Sequence, residues 1–301
     1  MSAIHAKNFI WTHLHKPTAD DVMEIAKNCG LHPLVAEELL QPTFRPKVEV
    51  YDNYLYLILH FPRFDARDSN HGAEIDFIIG KDFFVTTHYE RMPALEQFIS
   101  ACENDKRKSK QYLASTGELL YYLLSDLFTD SFRELEKMDK TLSIMKTVIF
   151  KERNRDYVED ISLIRREILD FRRTIHPQQS VLHSLEQEGG VFWGKSMQPY
   201  LSRIIGDYLR IWHILENHKE TAEALHETNQ SLLSMRTAEI TKNLTMMAFI
   251  TFPLMLIASL FGMNTLATPL VGARFDFWMI IGIMLAGTAG MFVFFKWKKW
   301  I

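Results

Sequence analysis

Two runs of apolar residues near the end of the chain dominate its pattern of hydrophobic and polar positions. Residues 244–261 and 277–295 contain no Asp, Glu, Lys, Arg or His, and the runs are 18 and 19 residues long. A helix needs roughly 20 such residues to cross an apolar layer of about 30 Å. A buried helix of a soluble protein rarely stays apolar on every face over this length, so the pattern predicts two transmembrane helices.

The N-terminal part of the chain mixes helical and strand patterns. Residues 19–29 have helical spacing, and Gly30 follows them as a usual helix terminator. A second short helix is predicted over residues 32–40. These patterns predict an α/β domain over residues 1–91, with the order of its strands left open. Segments rich in β-branched and aromatic residues predict the strands, over residues 47–61, 74–79 and 82–89.

Helical periodicity replaces the strand patterns from Pro93 onward. It is interrupted at His176-Pro177 and by a break from Gly189-Gly190 to Pro199. Residues 117–175 fit either a pair of amphipathic helices or one extended helix. We therefore predict a helical arm over residues 92–198.

A single long helix is predicted from Pro199 into the first apolar run. Proline is favoured in the first turn of a helix, and about 60 residues at 1.5 Å each give a rod on the order of 90 Å. The remaining segments follow from the apolar runs. They are the long helix with the first membrane helix (199–261), a connection (262–276), the second membrane helix (277–295) and a basic tail (296–301).

Small or mildly polar residues recur along one face of this long helix at intervals of three and four. Small residues let helices approach closely, so the stripe fits a helix-packing seam or the lining of a pore formed by several copies. Pro253 removes a backbone hydrogen bond in mid-membrane, which neighbouring helices or a water-filled cavity make tolerable. It therefore favours a bundle around a channel. The face comprises Ser234, Ala238, Thr241, Leu244, Thr245, Ala248, Phe252, Met255 and Ser259.

The ends of the chain indicate its orientation in the membrane. The N-terminus lacks the pattern of a secretory signal, so we expect it to stay in the cytoplasm. Two crossings return the C-terminus to the same side, where Lys296, Lys298 and Lys299 follow the second run, as the positive-inside tendency predicts. Trp297 and Trp300 are expected in the membrane interface. These features predict a multi-pass protein of the inner (plasma) membrane with both termini in the cytoplasm.

Several classes of chemistry are not expected from the composition. Two cysteines are too few for a disulfide framework, and a net charge of −3 without a basic, aromatic-rich face gives no reason to expect a nucleic-acid partner. Residues 106–108 are expected to form a solvated turn. The sequence has no Gly-rich phosphate loop ending in Gly-Lys-Ser or Gly-Lys-Thr, and none of its 12 histidines forms a helical metal-binding pair. His13 and His15 fit an exposed strand edge, and no enzyme activity is predicted.

A short motif directly after the first apolar run carries a family resemblance. Gly262-Met263-Asn264 stands nine residues beyond the mid-membrane Pro253. Residues 242–264, with Leu244-Thr245 and Pro253-Leu254 in place, resemble the C-terminal signature of the CorA-type magnesium transporters. In the N-terminal part, residues 30–34, 45–49 and 51–55 are similar to the cytoplasmic domain of that family. The resemblance covers nearly the whole chain.

The resemblance implies passive, membrane-potential-driven transport of divalent cations, with Mg²⁺ first and Co²⁺ or Ni²⁺ as further substrates. It implies a homopentamer in the lipid bilayer, with a funnel-shaped cytoplasmic region under the pore and no bound cofactor beyond the transported cation. In the family the motif forms the external selectivity site. A ring of Asn264 side-chain carbonyls would hold hydrated Mg²⁺ through its water shell. Gly262 lets the backbone turn; alternatively, Asn264 only caps the helix.

The sequence departs from the family pattern at several positions. The connection over residues 265–271 has Pro269 but no acidic residue. Ala238 stands where the resemblance implies a second Asn ring, and Phe252 stands where the family usually has Met. Leu244 matches the hydrophobic constriction of the family. The acidic residue that senses Mg²⁺ in the family falls at Arg203, which leaves Asp207, one turn later, as a candidate regulatory residue.

Two other functions stay open from the sequence. The sister branch of ZntB-type zinc transporters also has a less acidic connection, so proton-coupled Zn²⁺ transport is the first alternative, although Met263 favours magnesium. The second is a membrane-anchored protein without transport activity, whose two C-terminal helices serve only as a tether. A tether does not require the motif beside a mid-membrane proline.

Overall fold

The computed structural model describes residues 2–62, 72–151, 156–263, 270, 272 and 274–300. By its internal contacts the chain divides into two compact units, Met1–His226 and Glu227–Ile301, which we describe separately. Asn264 and most of the connection between the two apolar helices lie outside the described residues.

Within the described residues, the first unit contains a mixed six-stranded sheet. Its strands are β1 (Ser2–His5), β2 (Ile10–His15), β3 (Lys47–Val50), β4 (Tyr54–Phe61), β5 (Ala73–Gly80) and β6 (Phe83–His88). Their order in the sheet is β1-β2-β6-β5-β4-β3. Neighbouring strands are antiparallel except β2 and β6, which are parallel.

Helices account for the rest of the regular structure, as the sequence predicts. In the sheet domain they are α1 (Ala19–Cys29) and α2 (Pro33–Glu38); then follow α3 (Pro93–Asn104), α4 (Lys106–Tyr112), α5 (Thr116–Lys151), α6 (Val158–Ile175), α7 (Gln178–Phe192), α8 (Gln198–Phe261) and α9 (Asp276–Trp297). The fold class is therefore the predicted one. It consists of an N-terminal α/β domain, long helices and two C-terminal helices that are long and apolar enough to cross a membrane.

Helix α1 shows how local sequence signals set the element boundaries. The Thr18 side chain accepts a hydrogen bond from the Asp21 N–H (3.3 Å), and the Asp21 carboxylate accepts one from the Thr18 N–H (2.9 Å). This reciprocal capping box satisfies two N–H groups that the first turn leaves free. Gly30 ends the helix in the left-handed region at φ 64°, which costs a glycine little. The predicted boundaries of this helix are confirmed.

The sheet domain differs from its prediction in three details. Residues 47–61 form two strands, because the chain turns at residues 51–53 and pairs Val50 with Leu55. Strands β1 and β2 were not predicted. His13 does not lie at an edge, since it is paired with Ser2 of β1 on one side and Thr86 of β6 on the other, whereas His15 is exposed and extends past the paired part of β1. Both rings stack on His88, at 4.9 and 4.6 Å.

Apolar side chains cover both faces of the sheet. Every residue of β4 and β5 is buried. On one face, side chains of α1 and α2 pack against Tyr56, Ile58 and Ile78. On the other face, the Trp11 ring packs edge to face against Phe84 and Phe98, with ring centres 6.3 and 6.0 Å apart. Helices on both faces remove the inner strands from water, which stabilises them by roughly 25 cal/mol per Å² of apolar surface.

Of the two alternatives predicted for residues 117–175, the structure has the pair, α5 and α6. The arm differs from its prediction at two other points. Gly189 and Gly190 lie inside α7, and the break begins after Phe192. Residues 106–108 start α4 instead of forming a turn, because the Asp105 carboxylate accepts from the N–H groups of Arg107 (2.9 Å) and Lys108 (3.2 Å).

Candidate ion pathway

The stripe predicted from the sequence lies on one face of α8, because the whole segment is helical. At about 100° per residue, its members between Thr241 and Ser259 fall within an arc of about 100°. Leu244, Phe252 and Met255 expose 62, 63 and 60% of their surface, so the described chain leaves this face largely uncovered. The predicted lining residues thus share a face: Thr241, Leu244, Thr245, Ala248, Phe252, Met255 and Ser259.

Threonine hydroxyls on this face are fixed by the helix backbone. Thr241 donates its hydroxyl to the carbonyl oxygen of Thr237, and Thr245 donates to that of Thr241, both at 2.7 Å. Each hydroxyl proton is thereby used inside the helix, and the lone pairs on the oxygens stay available. The two side chains can accept hydrogen bonds from water on the exposed side.

Pro253 lies within α8 without ending it. Because proline has no N–H, the carbonyl of Phe249, four residues earlier, has no helical backbone donor. In the apolar part of a membrane such a carbonyl needs another partner, from a neighbouring helix or from water. The position of Pro253 therefore fits a helix that packs in a bundle, as predicted.

The described part of the motif lies at the end of α8. The Gly262 N–H donates to the carbonyl oxygen of Ala258 at 3.0 Å. A Cβ at Gly262 would lie 3.1 Å from that same oxygen, so only glycine fits here without displacement. Met263 is half exposed, and Asn264 lies outside the described residues. The selectivity role of Gly262, Met263 and Asn264 stays a prediction.

Helix α9 ends in a turn that folds the chain back on itself. Lys299 adopts the left-handed region at φ 56°, and the Trp300 N–H donates to the Phe295 carbonyl oxygen at 3.0 Å. The Trp300 ring stacks on the Phe295 ring at 5.8 Å. This is the bonding pattern and the apolar contact of a Schellman motif, here with lysine instead of the usual glycine.

The second unit contains a groove of about 780 Å³ beside the N-terminal half of the stripe. Trp300 lines it from one side. Thr241 and Thr245, which the sequence places on the lining face, border the same groove, whereas Phe252 and Met255 do not. Sequence reasoning assigned Trp300 to the membrane interface and missed this proximity. The α8 residues that line the groove are Leu233, Ser234, Thr237, Ala238, Thr241, Lys242 and Thr245.

Asp207, the candidate regulatory residue, is half-buried on α8 between two arginines. Burial raises the pKa of its carboxyl, while the charges of Arg203 and Arg210 act to lower it. Asp207 is therefore partly neutralised within its own chain. In the described part of the molecule, no group of three or more His, Cys, Asp or Glu side chains is placed to hold a metal ion.

Comparison with known proteins supports the same family. A model of the CorA-like Mg²⁺ transporter protein family matches residues 6–298. The cobalt/magnesium transport protein CorA of Thermotoga maritima is 27% identical over 296 residues, which cover 96% of this chain and 82% of that protein.

Two solved structures resemble this fold. The CorA magnesium transporter from Methanocaldococcus jannaschii has a TM-score of 0.84 at 20% identity, covering 98% of this chain and 92% of that one. The ZntB cytoplasmic domain from Vibrio parahaemolyticus has a TM-score of 0.52 at 16% identity, covering 76% and 86%. At these identities the two structures show a shared fold and no more. Because the family model spans nearly the whole sequence, this chain belongs to the CorA-like Mg²⁺ transporter family of membrane proteins with two C-terminal apolar helices, and it is a divalent metal transporter whose substrate is the cation.

Proposed function

We propose that this protein is a Mg²⁺ channel that admits the ion passively down the membrane potential, with Co²⁺ and Ni²⁺ as further substrates. The observation that carries the proposal is the stripe of small, hydroxyl-bearing and apolar residues on one face of α8, which leads through the first apolar segment to Gly262-Met263. An exposed stripe that includes hydroxyl groups suits a water-filled axis better than a lipid-facing surface. The name of the Thermotoga maritima relative, a cobalt/magnesium transport protein, agrees with this ion class.

The lining residues have distinct roles in this proposal. Asn264 forms a ring of carbonyl oxygens that holds hydrated Mg²⁺ by its water shell, because Mg²⁺ gives up its waters reluctantly. Thr241 and Thr245 accept hydrogen bonds from the same water shell deeper in the pore. Leu244 and Phe252 form apolar constrictions that close by dewetting. Thr241 and Thr245 also border the Trp300 groove, so the pore lining and that groove share these two residues.

The membrane potential is sufficient as the driving force. It contributes about 2.3 kcal/mol per elementary charge for each 100 mV. A divalent cation gains about twice that amount. Uptake therefore needs no ATP, in agreement with the lack of a phosphate-binding loop in the sequence.

Assembly and placement in the cell belong to the same proposal. A homopentamer around the α8 stripe would cover Leu244, Phe252 and Met255, which one chain leaves exposed. The protein lies in the inner (plasma) membrane, with residues 1–91 (α/β), 92–198 (helical arm) and the first part of 199–261 in the cytoplasm. Residues 262–276 lie outside, and the tail at 296–301 returns to the cytoplasm, where its lysines follow the positive-inside tendency.

Proton-coupled Zn²⁺ transport is the second candidate function. The observation in its favour is the connection over residues 265–271, which has no acidic residue to concentrate cations at the pore mouth. Electrostatic attraction by such residues raises the local cation concentration. A neutral mouth would lower the uptake rate of any divalent ion, and coupling to protons would then supply part of the driving force.

Ion flux into proteoliposomes tests the proposal. Vesicles loaded with a Mg²⁺- or Zn²⁺-sensitive dye are compared with and without an imposed potential and with and without a pH gradient. We expect potential-driven Mg²⁺ uptake that Asn264→Ala abolishes while the oligomer stays intact, with Asn243→Ala, an exposed position on the opposite side of α8 from the stripe, as the matched control. Proton-dependent Zn²⁺ uptake would favour the second function, and no flux of either ion would refute transport by this chain.

A further inference from the structure

The end of α9 carries a cluster of positive charge that the chain does not neutralise. Lys296, Lys298 and Lys299 are exposed, and within the described part of the chain none of them forms an ion pair. Trp297 exposes 76% of its surface beside them, with the Lys298 ammonium 5.7 Å from its ring centre. We call Lys296, Trp297, Lys298, Lys299 and Trp300 the lysine cap.

The fold gives the lysine cap a fixed shape. The left-handed turn at Lys299 brings Trp300 back onto Phe295, so the tail does not extend away from the helix. The lysines on either side of Trp297 therefore stay within one turn of the helix end. The negative end of the helix dipole, equivalent to about half an elementary charge, lies at the same place. Three lysines outweigh it, and the surface has a net positive charge.

The two apolar runs indicate the depth at which the lysine cap would lie in a membrane. Trp300 lines one groove together with Lys242 and Thr245, which flank the start of the first apolar run. Lys296 directly follows the second apolar run. The cap therefore lies where both apolar segments reach the same membrane surface, at the level of the lipid headgroups. Glu239 lies one turn before Lys242 and can offset only that lysine, which is not part of the cap.

We infer that the lysine cap binds the phosphate group of an anionic phospholipid in the leaflet that it faces. Charge complementarity selects an anion, because lysine clusters next to a membrane helix attract acidic lipids. The apolar surroundings select a lipid over a soluble phosphate. Val293 and Phe294 expose 69 and 51% of their surface directly below the cap, where acyl chains would contact them, and Trp297 suits the interface. This inference does not depend on which ion the protein transports.

Tryptophan quenching by brominated lipids tests the inference on the full-length protein. The protein is reconstituted in phosphatidylcholine bilayers that contain either brominated phosphatidylglycerol or brominated phosphatidylcholine. We expect stronger quenching by the anionic lipid at equal mole fraction. The preference should fall about fivefold for each lysine replaced, and about a hundredfold for Lys296→Gln, Lys298→Gln and Lys299→Gln together.

The matched control removes the same number of charges elsewhere. Lys106→Gln, Arg107→Gln and Lys108→Gln change an exposed helix of the first unit, and the lipid preference should stay unchanged. Size-exclusion elution and helix content confirm that both variants remain assembled. Equal quenching by the two lipids, or a preference that survives in the lysine-cap variant, would overturn the inference. Loss of the preference on adding inorganic phosphate would also overturn it, because the surface would then bind a soluble anion.

Discussion

The Thr245 hydroxyl donates to the carbonyl oxygen of Thr241 at 2.7 Å, which leaves only acceptor lone pairs on the exposed side of the hydroxyl. Thr241 repeats the arrangement one turn earlier. A cation arrives with waters whose hydrogens point outward, so acceptor oxygens can bind its hydration shell and a donor cannot. These two hydrogen bonds therefore suit Thr241 and Thr245 to accept hydrogen bonds from the water around a cation, a role that their size alone does not indicate.

Replacing the two threonines by valine should slow Mg²⁺ uptake without affecting assembly. Valine keeps the branched shape but removes the acceptor oxygens. At a net value of about 0.5–1.5 kcal/mol per hydrogen bond, Thr241→Val and Thr245→Val should each reduce the flux about two- to tenfold. Flux into dye-loaded proteoliposomes measures the change.

Thr288→Val is the matched control for the threonine variants. Thr288 lies on α9 and also donates its hydroxyl to the carbonyl four residues earlier, at 2.8 Å. Its replacement should leave the flux unchanged. If all three variants slow the flux equally, the effect is one of helix stability, and the proposed role of Thr241 and Thr245 is wrong.

Gly262→Ala should impair transport more than Gly282→Ala. A Cβ at Gly262 would lie 3.1 Å from the Ala258 carbonyl oxygen, whereas a Cβ at Gly282 meets no atom within 4 Å in the described structure. Such overpacking costs about 1–3 kcal/mol or shifts the backbone. The end of α8 would move and carry Asn264 with it. Flux and thermal unfolding of both variants, measured side by side, check the prediction, and equal fluxes would contradict it.

The hydropathy pattern predicted the long helices, but not all of the sheet. Residues 10–15 were not predicted as a strand because helices cover both faces of the sheet. Trp11 and Leu14 are buried while Thr12 and His13 are half-buried. The strict alternation of buried and exposed positions that marks a half-exposed strand is therefore missing. The proximity of Trp300 to Thr241 was not predicted for another reason. This proximity depends on a left-handed turn at Lys299, and the sequence has no glycine at that position to indicate the turn.

Burial of Asp76 should make the stability of the protein fall as the pH rises. Asp76 is fully buried on β5 and accepts a hydrogen bond from the Tyr89 hydroxyl at 2.8 Å. Burial and the nearby carboxylate of Glu74 raise the pKa of Asp76 well above its usual 3.8. The folded state thus holds the proton more tightly than the unfolded state. Its stabilising contribution is complete below pH 3.8 and is lost as the pH rises through the folded pKa.

Asp76→Asn tests this linkage, because the amide has a similar shape and does not titrate. The variant should lose much of the decline in stability that begins as the pH rises above 3.8, where each unit of pKa shift corresponds to about 1.4 kcal/mol. Thermal unfolding of the full-length protein across this range measures it. Asp105→Asn is the control, because the Asp105 carboxyl caps a helix in an exposed position and backbone N–H groups lower its pKa. This variant should keep the decline in stability with rising pH. An unchanged slope in Asp76→Asn would show that other groups cause it.

Phe252 should act as an apolar gate if the stripe lines the pore. A polar side chain there would let water remain in the constriction, so Phe252→Asn should raise Mg²⁺ leak through the resting protein. A barrier lowered by only about 1.4 kcal/mol gives a tenfold faster rate, and we expect an increase on the order of tenfold.

Phe249→Asn is the control, because Phe249 has nearly the same exposure, 60% against 63%, but points about 60° further from the stripe than Phe252 does. Faster leak in the Phe252 variant alone indicates a gate on the pore axis. Equal leak in both variants would mean that the two phenylalanines only pack between helices, and the seam interpretation of the stripe would then replace the pore.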